Sequence, residues 1–493
     1  MDLVELHAEN KQLRAENAQL RAENEQLRTE NAQLRQAVAT LEARVVALEA
    51  ELKTLKDLLE TTQRQGKRQA TLFSKGSPSP SPKKPGRKRG HAAAHRAVPD
   101  KVDRTKSAAL PPACPDCGGV LRKDAVRVQY QIDIPRPIPM VVTRFRVPVG
   151  HCRQCGRRVQ GRHPEQTSDA LGAAGIQLGP NALGLAVELK HGLGVPFGKT
   201  ARILSTATEL TVNRSSLARA SQRLAAKCAP TYSRLLVRSR QGRVVHADET
   251  GWRIGGHSAW LWVFTNTDVS LYVIDPSRAH EVVETVLGAD YAGVLVSDCF
   301  LAYDPLPYRQ SKCLAHLLRR CQEIQALKSR RAVQFTRDLA RLLRAAITLK
   351  DRRRKLSGHG YRVACGRLEA ALDRLLARQL TDPDNARLAG TLRKQRARLL
   401  TFLYEPSVPP TNNAAEREIR PAVVARKTGG CNRTDAGAQA HAILASILRT
   451  CTKQGYDPVA SLKHLLRHAE TLVLDLVARH KSGAVLPPAL ASP

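Results

Sequence analysis

The chain has 493 residues, enough for two or three independent cores, so a single domain is not expected. Lysine and arginine number 79 against 44 acidic residues, and the resulting charge of +35 is spread along the whole length. That excess selects a polyanionic partner, nucleic acid first, because cations gain affinity by releasing counterions from phosphates.

No apolar run nears the roughly 20 residues of a membrane span. The start, MDLVELHAEN, lacks the basic and apolar regions of a secretory signal, so a cytoplasmic protein is expected. Eleven cysteines include two Cys-x-x-Cys pairs, which in a reducing compartment read as metal ligands before disulfides.

Leucine recurs every seventh residue at Leu6, Leu13, Leu20, Leu27, Leu34, Leu41, Leu48 and Leu55, the d position of a heptad repeat. The a positions are Asn10, Asn17, Asn24 and Asn31, then Val38, Val45, Leu52 and Leu59, and buried Asn layers favour a two-stranded parallel register. Glu9, Glu16, Glu23 and Glu30 each precede by five residues an arginine (Arg14, Arg21, Arg28, Arg35), the spacing of interchain g-to-e' ion pairs. Residues 1–62 are therefore expected to be a coiled-coil (leucine zipper) helix making a parallel homodimer; the competing reading is one long helix packed on its own protein. Residues 63–108, with SPSPSPKKPGRKRGH, cannot bury enough apolar surface to order themselves and read as a basic linker. KKPGRKRG is either an arm along phosphates or a solvated tether.

Residues 109–164 carry Cys114-Pro-Asp-Cys117-Gly-Gly, an extended stretch, and Cys152-Arg-Gln-Cys155-Gly. Two knuckles separated by strands describe a zinc ribbon, with four thiolates around one structural Zn²⁺. Residues 165–240 read as helices: NALGLAVELKHGLG, PFGKTARILSTATEL and SSLARASQRLAAKC. Asn213 or Ser215 caps the last, and its Arg214, Arg219 and Arg223 can reach DNA if the group is a helix-turn-helix; a plain packed bundle fits equally.

After Arg243 the pattern turns to strands: VVHADETGWRI, SAWLWVFTN and SLYVIDPS as an antiparallel meander, helix-like AHEVVETVLGA, then GVLVSD. Asp248 and Asp298 fall at or near strand ends, and a mixed sheet of this order suits a ribonuclease H-like core in which the first and fourth strands are neighbours. Paired carboxylates there make a cradle for Mg²⁺. His246 and Glu249 flank Asp248 and are expected to share the opposite face, the histidine packed and Glu249 a spare acid. Residues 311–407 read as helical and basic, with Leu339, Leu342, Leu343, Ala346 and Leu349 on one apolar face. Cys313-x-x-His316 has metal-ligand spacing but no nearby second pair. In TNNAAEREIRP, Asn413 as N-cap and Glu416 at the third helical position form a capping pair, so by spacing alone Glu416 is equally a helix cap or a third acid.

HADETGWR, SDCFLAYD, KCLAHLLRR, TNNAAEREIRP, ARKTGG and AILASILRTCTKQGYDP together resemble the consecutive blocks of DDE transposases of the insertion-sequence 66 family. The resemblance implies a multidomain α+β chain: coiled coil, linker, zinc ribbon, helical domain, a ribonuclease H-like catalytic core over 241–445 with a helical insertion at about 322–407, and a C-terminal helical segment and tail over 446–493. It implies a catalytic triad of Asp248, Asp298 and Glu416 holding two Mg²⁺ (or Mn²⁺) ions, which cuts DNA at the element's ends and joins it to a target. Arg417, Arg420, Arg426 and Lys427, close to Glu416, are then expected to contact phosphates. Expected partners are the element's inverted repeats, target DNA, a second copy of the chain and accessory proteins of the same element, in the bacterial cytoplasm at the nucleoid. The competing functions are a DNA-binding regulator without catalysis and a nuclease that cuts without joining.

Overall fold

The computed structural model describes residues 3–66, 98–134, 137–468, 473–476 and 489–490, and the chain divides into two units, 1–94 and 95–493. The first unit contains α1 (Leu3–Gly66), whose composition of Leu, Ala, Glu, Gln and Arg has neither Gly nor Pro before its last residue. At 1.5 Å per residue this helix is about 95 Å long. The described seam residues Leu20, Leu27, Leu34, Val38, Leu41, Val45, Leu48, Leu52 and Leu55 are each more than half exposed. The basic KKPGRKRG segment lies outside the described residues.

In the second unit, β1 (Val149–His151) and β2 (Arg158–Gln160) form an antiparallel hairpin around the second Cys-x-x-Cys. The extended stretch between the two cysteine pairs was expected to supply strands; its described residues form none before Val149. Val126, Val128, Ile132, Ile134, Val141 and Val142 stay largely exposed, so the alternating pattern has no surface against which to pair.

The helices α2 (Pro180–Val187), α3 (Phe197–Thr208) and α4 (Arg214–Arg240) follow as expected. Asn213 caps α4 through its side-chain oxygen, which accepts from the Ser216 amide at 2.9 Å. Ala220, Leu224, Cys228 and Leu235 on the inner face of α4 enter the same apolar core as the sheet, so these helices pack as part of that body.

The sheet contains β3 (Val244–Ile254), β4 (His257–Thr265), β5 (Ser270–Asp275), then, after α5 (His280–Leu287), β6 (Val294–Ser297) and β7 (Arg309–Lys312). Its order is β5-β4-β3-β6-β7, with the first three strands antiparallel and β6 and β7 parallel to β3. The strand β7 is a correction: residues 311 and 312 were read as the start of a helical region. Its sequence RQSK is polar, yet Gln310, Ser311 and Lys312 are buried, with Gln310 Nε2 donating to the Tyr303 carbonyl and Lys312 Nζ to Ser297 Oγ. The Gln310 and Lys312 nitrogens are bonded while Gln310 Oε1 and Ser311 Oγ are buried without a hydrogen-bond partner, so buried polar side chains replace the apolar alternation that marks a strand in sequence.

An excursion of six helices follows: α6 (Leu314–Leu327), α7 (Gln334–Asp351), α8 (Gly358–Leu376), α9 (Pro383–Lys394), α10 (Arg396–Leu399) and α11 (Thr401–Tyr404). It encloses its own apolar core, built on the expected face of α7, with Leu339, Leu343 and Ala346 fully buried, and reaching Val294 and Val296 of β6. The chain then returns as α12 (Asn413–Gly429), α13 (Asp435–Gln454) and α14 (Pro458–Arg467), closing with the short pair β8 (Val473–Leu474) and β9 (Ala489–Leu490). The sheet is covered on both faces: Trp262, Phe264 and Leu271 point toward α4 and α13, while Trp252, Leu261 and Val263 meet Ala415, Ile419 and Ala422 of α12. This is why β4, β5 and β6 carry nearly continuous apolar runs.

Candidate metal and nucleic-acid site

In the parallel pairing of β3 with β6, Val244 faces Val294 and His246 faces Val296, a constant offset of 50 residues. The same offset, carried two residues further, brings Asp248, midway along β3, level with Asp298, the residue just past β6, and Asp298 lies close enough for its charge to act on Asp248. Period two puts residues 246, 248, 250 and 252 on the α12 face of β3. His246 and Thr250 both bond to groups of α12 or the loop before it. The expectation for His246 is therefore corrected: it lies on Asp248's face, buried, with Nδ1 3.0 Å from Asn412 Oδ1. Glu249 lies three positions further along the strand, an odd offset, so the two cannot share a face.

Glu249 points the other way and is already paired. Its Oε1 accepts from Arg278 at 2.8 Å and its Oε2 from the Tyr303 hydroxyl at 2.9 Å. The Arg278 guanidinium is stacked between the rings of Trp260 and Phe300, 4.2 and 3.7 Å from their centroids. Burial lifts the Glu249 carboxyl despite these partners. Asp248 is lifted further, to about 7, first by burial and then by the negative charges of Glu249 and Asp298.

Glu416 lies in the first turn of α12, but not as a capping residue. The N-cap is Asn412 rather than Asn413, so Glu416 falls one position past the capping-box glutamate, and its Oε1 is buried with no hydrogen-bond partner. The side chain of Asn412 is spent elsewhere: Oδ1 meets His246, and Nδ2 donates to the Ala247 carbonyl at 2.8 Å. The Asn412 amide donates to Cys313 Sγ at 3.1 Å, and the Cys313 amide to the Ser297 carbonyl at 2.8 Å. Asn412 and Cys313 thereby tie together the segments that carry Asp248, Asp298 and Glu416. Nothing in the sequence marked Asn412 for this role beyond its place in NNAAE.

Among the described residues no second Cys/His pair joins Cys313 and His316, but a carboxylate does. Cys313 Sγ, a His316 ring nitrogen and a Glu416 carboxylate oxygen lie within 4.8 Å of one another, the one such group of three found among the described residues. His316 Nδ1 is 3.7 Å from Glu416 Oε1. Burial alone would raise the Cys313 thiol; hydrogen bonds from His316 and the Asn412 amide bring it below its ordinary value. His316 is raised, chiefly by its bond with Cys313 and further by the charges of Cys313, Asp298 and Glu416, against the effect of burial.

Of the basic residues expected at DNA, Arg214, Arg219, Arg223, Arg417 and Arg420 are exposed and Lys427 is half-buried. Arg426 is turned inward, with Nη1 donating to Thr250 Oγ1 and the Gly251 carbonyl, so it braces α12 against β3.

Both cysteine knuckles are formed alike. The Gly118 and Gly156 amides donate to the carbonyls of Cys114 and Cys152 at 2.9 Å, and each glycine takes a positive φ (72° and 70°) that disfavours a side chain. Amides of Asp116 and Cys117 lower the Cys114 thiol, and those of Cys155 and Gln154 the Cys152 thiol, a donor arrangement that suits thiolate ligands. The four sulfurs are not gathered within 4.8 Å as one group.

Residues 175–440 match the family model described as "Transposase IS66 family", and residues 111–156 that of the "zinc-finger binding domain of transposase IS66". The uncharacterized protein y4jD of Sinorhizobium fredii is 26% identical over 408 residues, covering 72% of this chain and 74% of its own. The uncharacterized protein y4hP of the same organism is 24% identical over 423 residues, covering 75% and 72%.

Proposed function

The chain belongs to the IS66 family of transposases, and from that premise we propose that it binds the ends of its insertion sequence and catalyses metal-dependent cleavage and strand transfer of DNA. The observation that carries this reading is the 50-residue register of β3 against β6, which aligns Asp248 with Asp298 on a sheet whose other neighbour on that face is the Glu416 helix. The strand order, with a three-stranded meander followed by two parallel strands, supports a ribonuclease H-like core. Asp248, Asp298 and Glu416 are proposed to hold two Mg²⁺ or Mn²⁺ ions. The donor set fits, because the strongest charges acting on Asp248 are negative and Glu416 Oε1 is buried without a partner, so the site is short of positive charge.

When bound, such ions polarise the phosphodiester and favour the attacking oxygen. The protein's own part is positioning. The Glu249 amide holds Asp248 Oδ1 at 3.0 Å and the Phe300 amide holds Asp298 Oδ1 at 2.9 Å, which fixes each carboxylate and leaves its second oxygen for a ligand. The exposed Arg417 and Arg420, beside Glu416 on α12, are placed to hold phosphates. On α7, Arg337, Arg341 and Arg344 repeat along one exposed stripe at spacings that keep them on a single helical face, a second basic surface for the duplex.

The zinc-finger domain is proposed to close around one structural Zn²⁺ through Cys114, Cys117, Cys152 and Cys155. The apolar seam of α1 is proposed to bury against a second copy, giving a dimer able to hold two DNA ends. Protein, Mg²⁺ and DNA carrying the flanking inverted repeats test the reading. Cleavage and joined products are expected from the wild type, and Asp248→Ala, Asp298→Ala or Glu416→Ala each abolish both while binding persists. Cleavage surviving any of the three would overturn the triad; cleavage without joined products would make the protein a nuclease.

A further inference from the structure

Outside the aspartate pair, the feature with the most chemistry unspent is the group formed by Cys313, His316 and Glu416. Two of its polar atoms, His316 Nδ1 and Glu416 Oε1, are buried without hydrogen-bond partners, and they face each other across 3.7 Å. That gap is too long for the hydrogen bond each atom lacks. It is close to the spacing of two donors on one metal: ligands about 2.0 Å from a tetrahedral Zn²⁺ stand about 3.3 Å apart. The third donor, Cys313 Sγ, is within 4.8 Å of both and already accepts the Asn412 amide, as metal-bound thiolates commonly do.

We propose that Cys313, His316 and Glu416 form a second metal site of zinc class, distinct from the cysteine knuckles, that captures Glu416. The donors are one thiolate, one imidazole and one carboxylate, a set that selects Zn²⁺ or Co²⁺ over Mg²⁺, which prefers oxygen alone. Three protein ligands leave a fourth position open to water. The thiol proton passes to solvent as the ion binds, so affinity falls at low pH. The consequence for DNA cleavage rests on the proposed role of Glu416 with Mg²⁺: an ion of zinc class holds that carboxylate on the Cys313 side and competes with the catalytic pair.

Zinc stoichiometry of the full-length chain tests this without DNA. After equilibration with excess Zn²⁺ and gel filtration, elemental analysis is expected to give two zinc ions per chain in the wild type. One is expected in Cys152→Ser/Cys155→Ser, and one in His316→Gln, which changes a half-exposed side chain. Cys313 is buried and its replacement risks the fold, so Glu416→Gln serves as the second core variant and is also expected to bind one. Co²⁺ in the knuckle variant should show a thiolate charge-transfer band that His316→Gln weakens. A single zinc in the wild type with none in the knuckle variant, or two zincs retained by both His316→Gln and Glu416→Gln, would overturn the proposal. A chain that binds two zincs yet cuts no DNA end sinks the transposase reading and leaves this site standing; a one-zinc chain that cuts with Mg²⁺ does the reverse.

Discussion

Replacing Asn412 by alanine removes two buried hydrogen bonds at once, the contact of Oδ1 with His246 Nδ1 at 3.0 Å and the Nδ2 donation to the Ala247 carbonyl at 2.8 Å. Asn412 is 1% exposed, so water cannot readily replace either partner. Each orphaned group costs about 1–3 kcal/mol, which puts the expected destabilisation of Asn412→Ala at about 2–6 kcal/mol in urea unfolding. The catalytic effect should be larger than that of a core mutation of equal cost elsewhere. Ala247 adjoins Asp248, the Glu416 amide donates to the Asn412 carbonyl at 3.2 Å, and a displacement of about 1 Å among reacting groups costs about 100-fold in rate. Asn412→Asp keeps an acceptor for His246 but sets an oxygen against the Ala247 carbonyl, so it should be no better than alanine. End cleavage measured across a Mg²⁺ titration checks this, with a raised metal requirement as the mark of misplaced ligands. If Asn412→Ala unfolds within about 0.5 kcal/mol of wild type and cleaves within about threefold of it, the tie between β3 and α12 is not what places the acids.

Glu249→Gln should cost about 1–2 kcal/mol of stability, since it removes the charge facing the half-open Arg278 but keeps an acceptor, and should lower cleavage far less than Asp248→Ala; equal loss in both would make Glu249 a ligand. Acid should weaken the fold through the buried pair His191 and His441, whose Nδ1 atoms are 2.9 Å apart. Burial holds both rings neutral, His441 down to about 3, so the unfolded chain takes up protons first as pH falls below the ordinary 6.5. Their contribution is full above pH 6.5 and declines below it; at pH 5 His441 alone accounts for about 2 kcal/mol, and His441→Leu should flatten the difference between urea midpoints at pH 7 and pH 5. An unchanged slope would remove the pair as its source. Leu27→Lys with Leu34→Lys, both on the exposed seam of α1, should convert a full-length dimer into a monomer by sedimentation while leaving the melting of the remaining chain unaltered. A dimer that survives the double change is held elsewhere.

The elements most legible in the sequence were those whose signal is local. The heptads of α1, the apolar strands β3 to β6 and the α7 face all follow from periodicity that no distant residue needs to complete. Asp298 was legible as a strand-end acid, whereas Asp248 lies midway along β3, which runs on to Ile254. What stayed hidden depends on partners far along the chain. The short strand β7 carries buried polar residues, of which Gln310 and Lys312 find partners in Tyr303 and Ser297. Glu249 looked like a spare acid because Arg278 and Tyr303 reach it only in three dimensions. Glu416 was ambiguous for a sharper reason, since a capping box and a catalytic acid share the same spacing; a one-residue shift of the N-cap to Asn412 separates them.

The same stem explains how an acid 118 residues beyond Asp298 can be positioned at all. The excursion from α6 to α11 leaves the sheet at Cys313 and returns at Asn412, and the two ends meet: the Leu314 amide donates to the Pro410 carbonyl at 3.0 Å and the Asn412 amide to Cys313 Sγ. Between these points the helices bury Leu339, Leu343, Leu372 and Phe402 in a core largely their own. Closing a flexible loop of that length would cost entropy that grows only slowly with its length, but it would leave Glu416 loosely placed. A self-packed lobe on a pinned stem pays that cost in its own folding and delivers Glu416 at a fixed point. The placement of the acid therefore depends on Cys313, Pro410 and Asn412 rather than on the size of the lobe, and changes at the outer helices should alter what the lobe touches before they alter the proposed metal site.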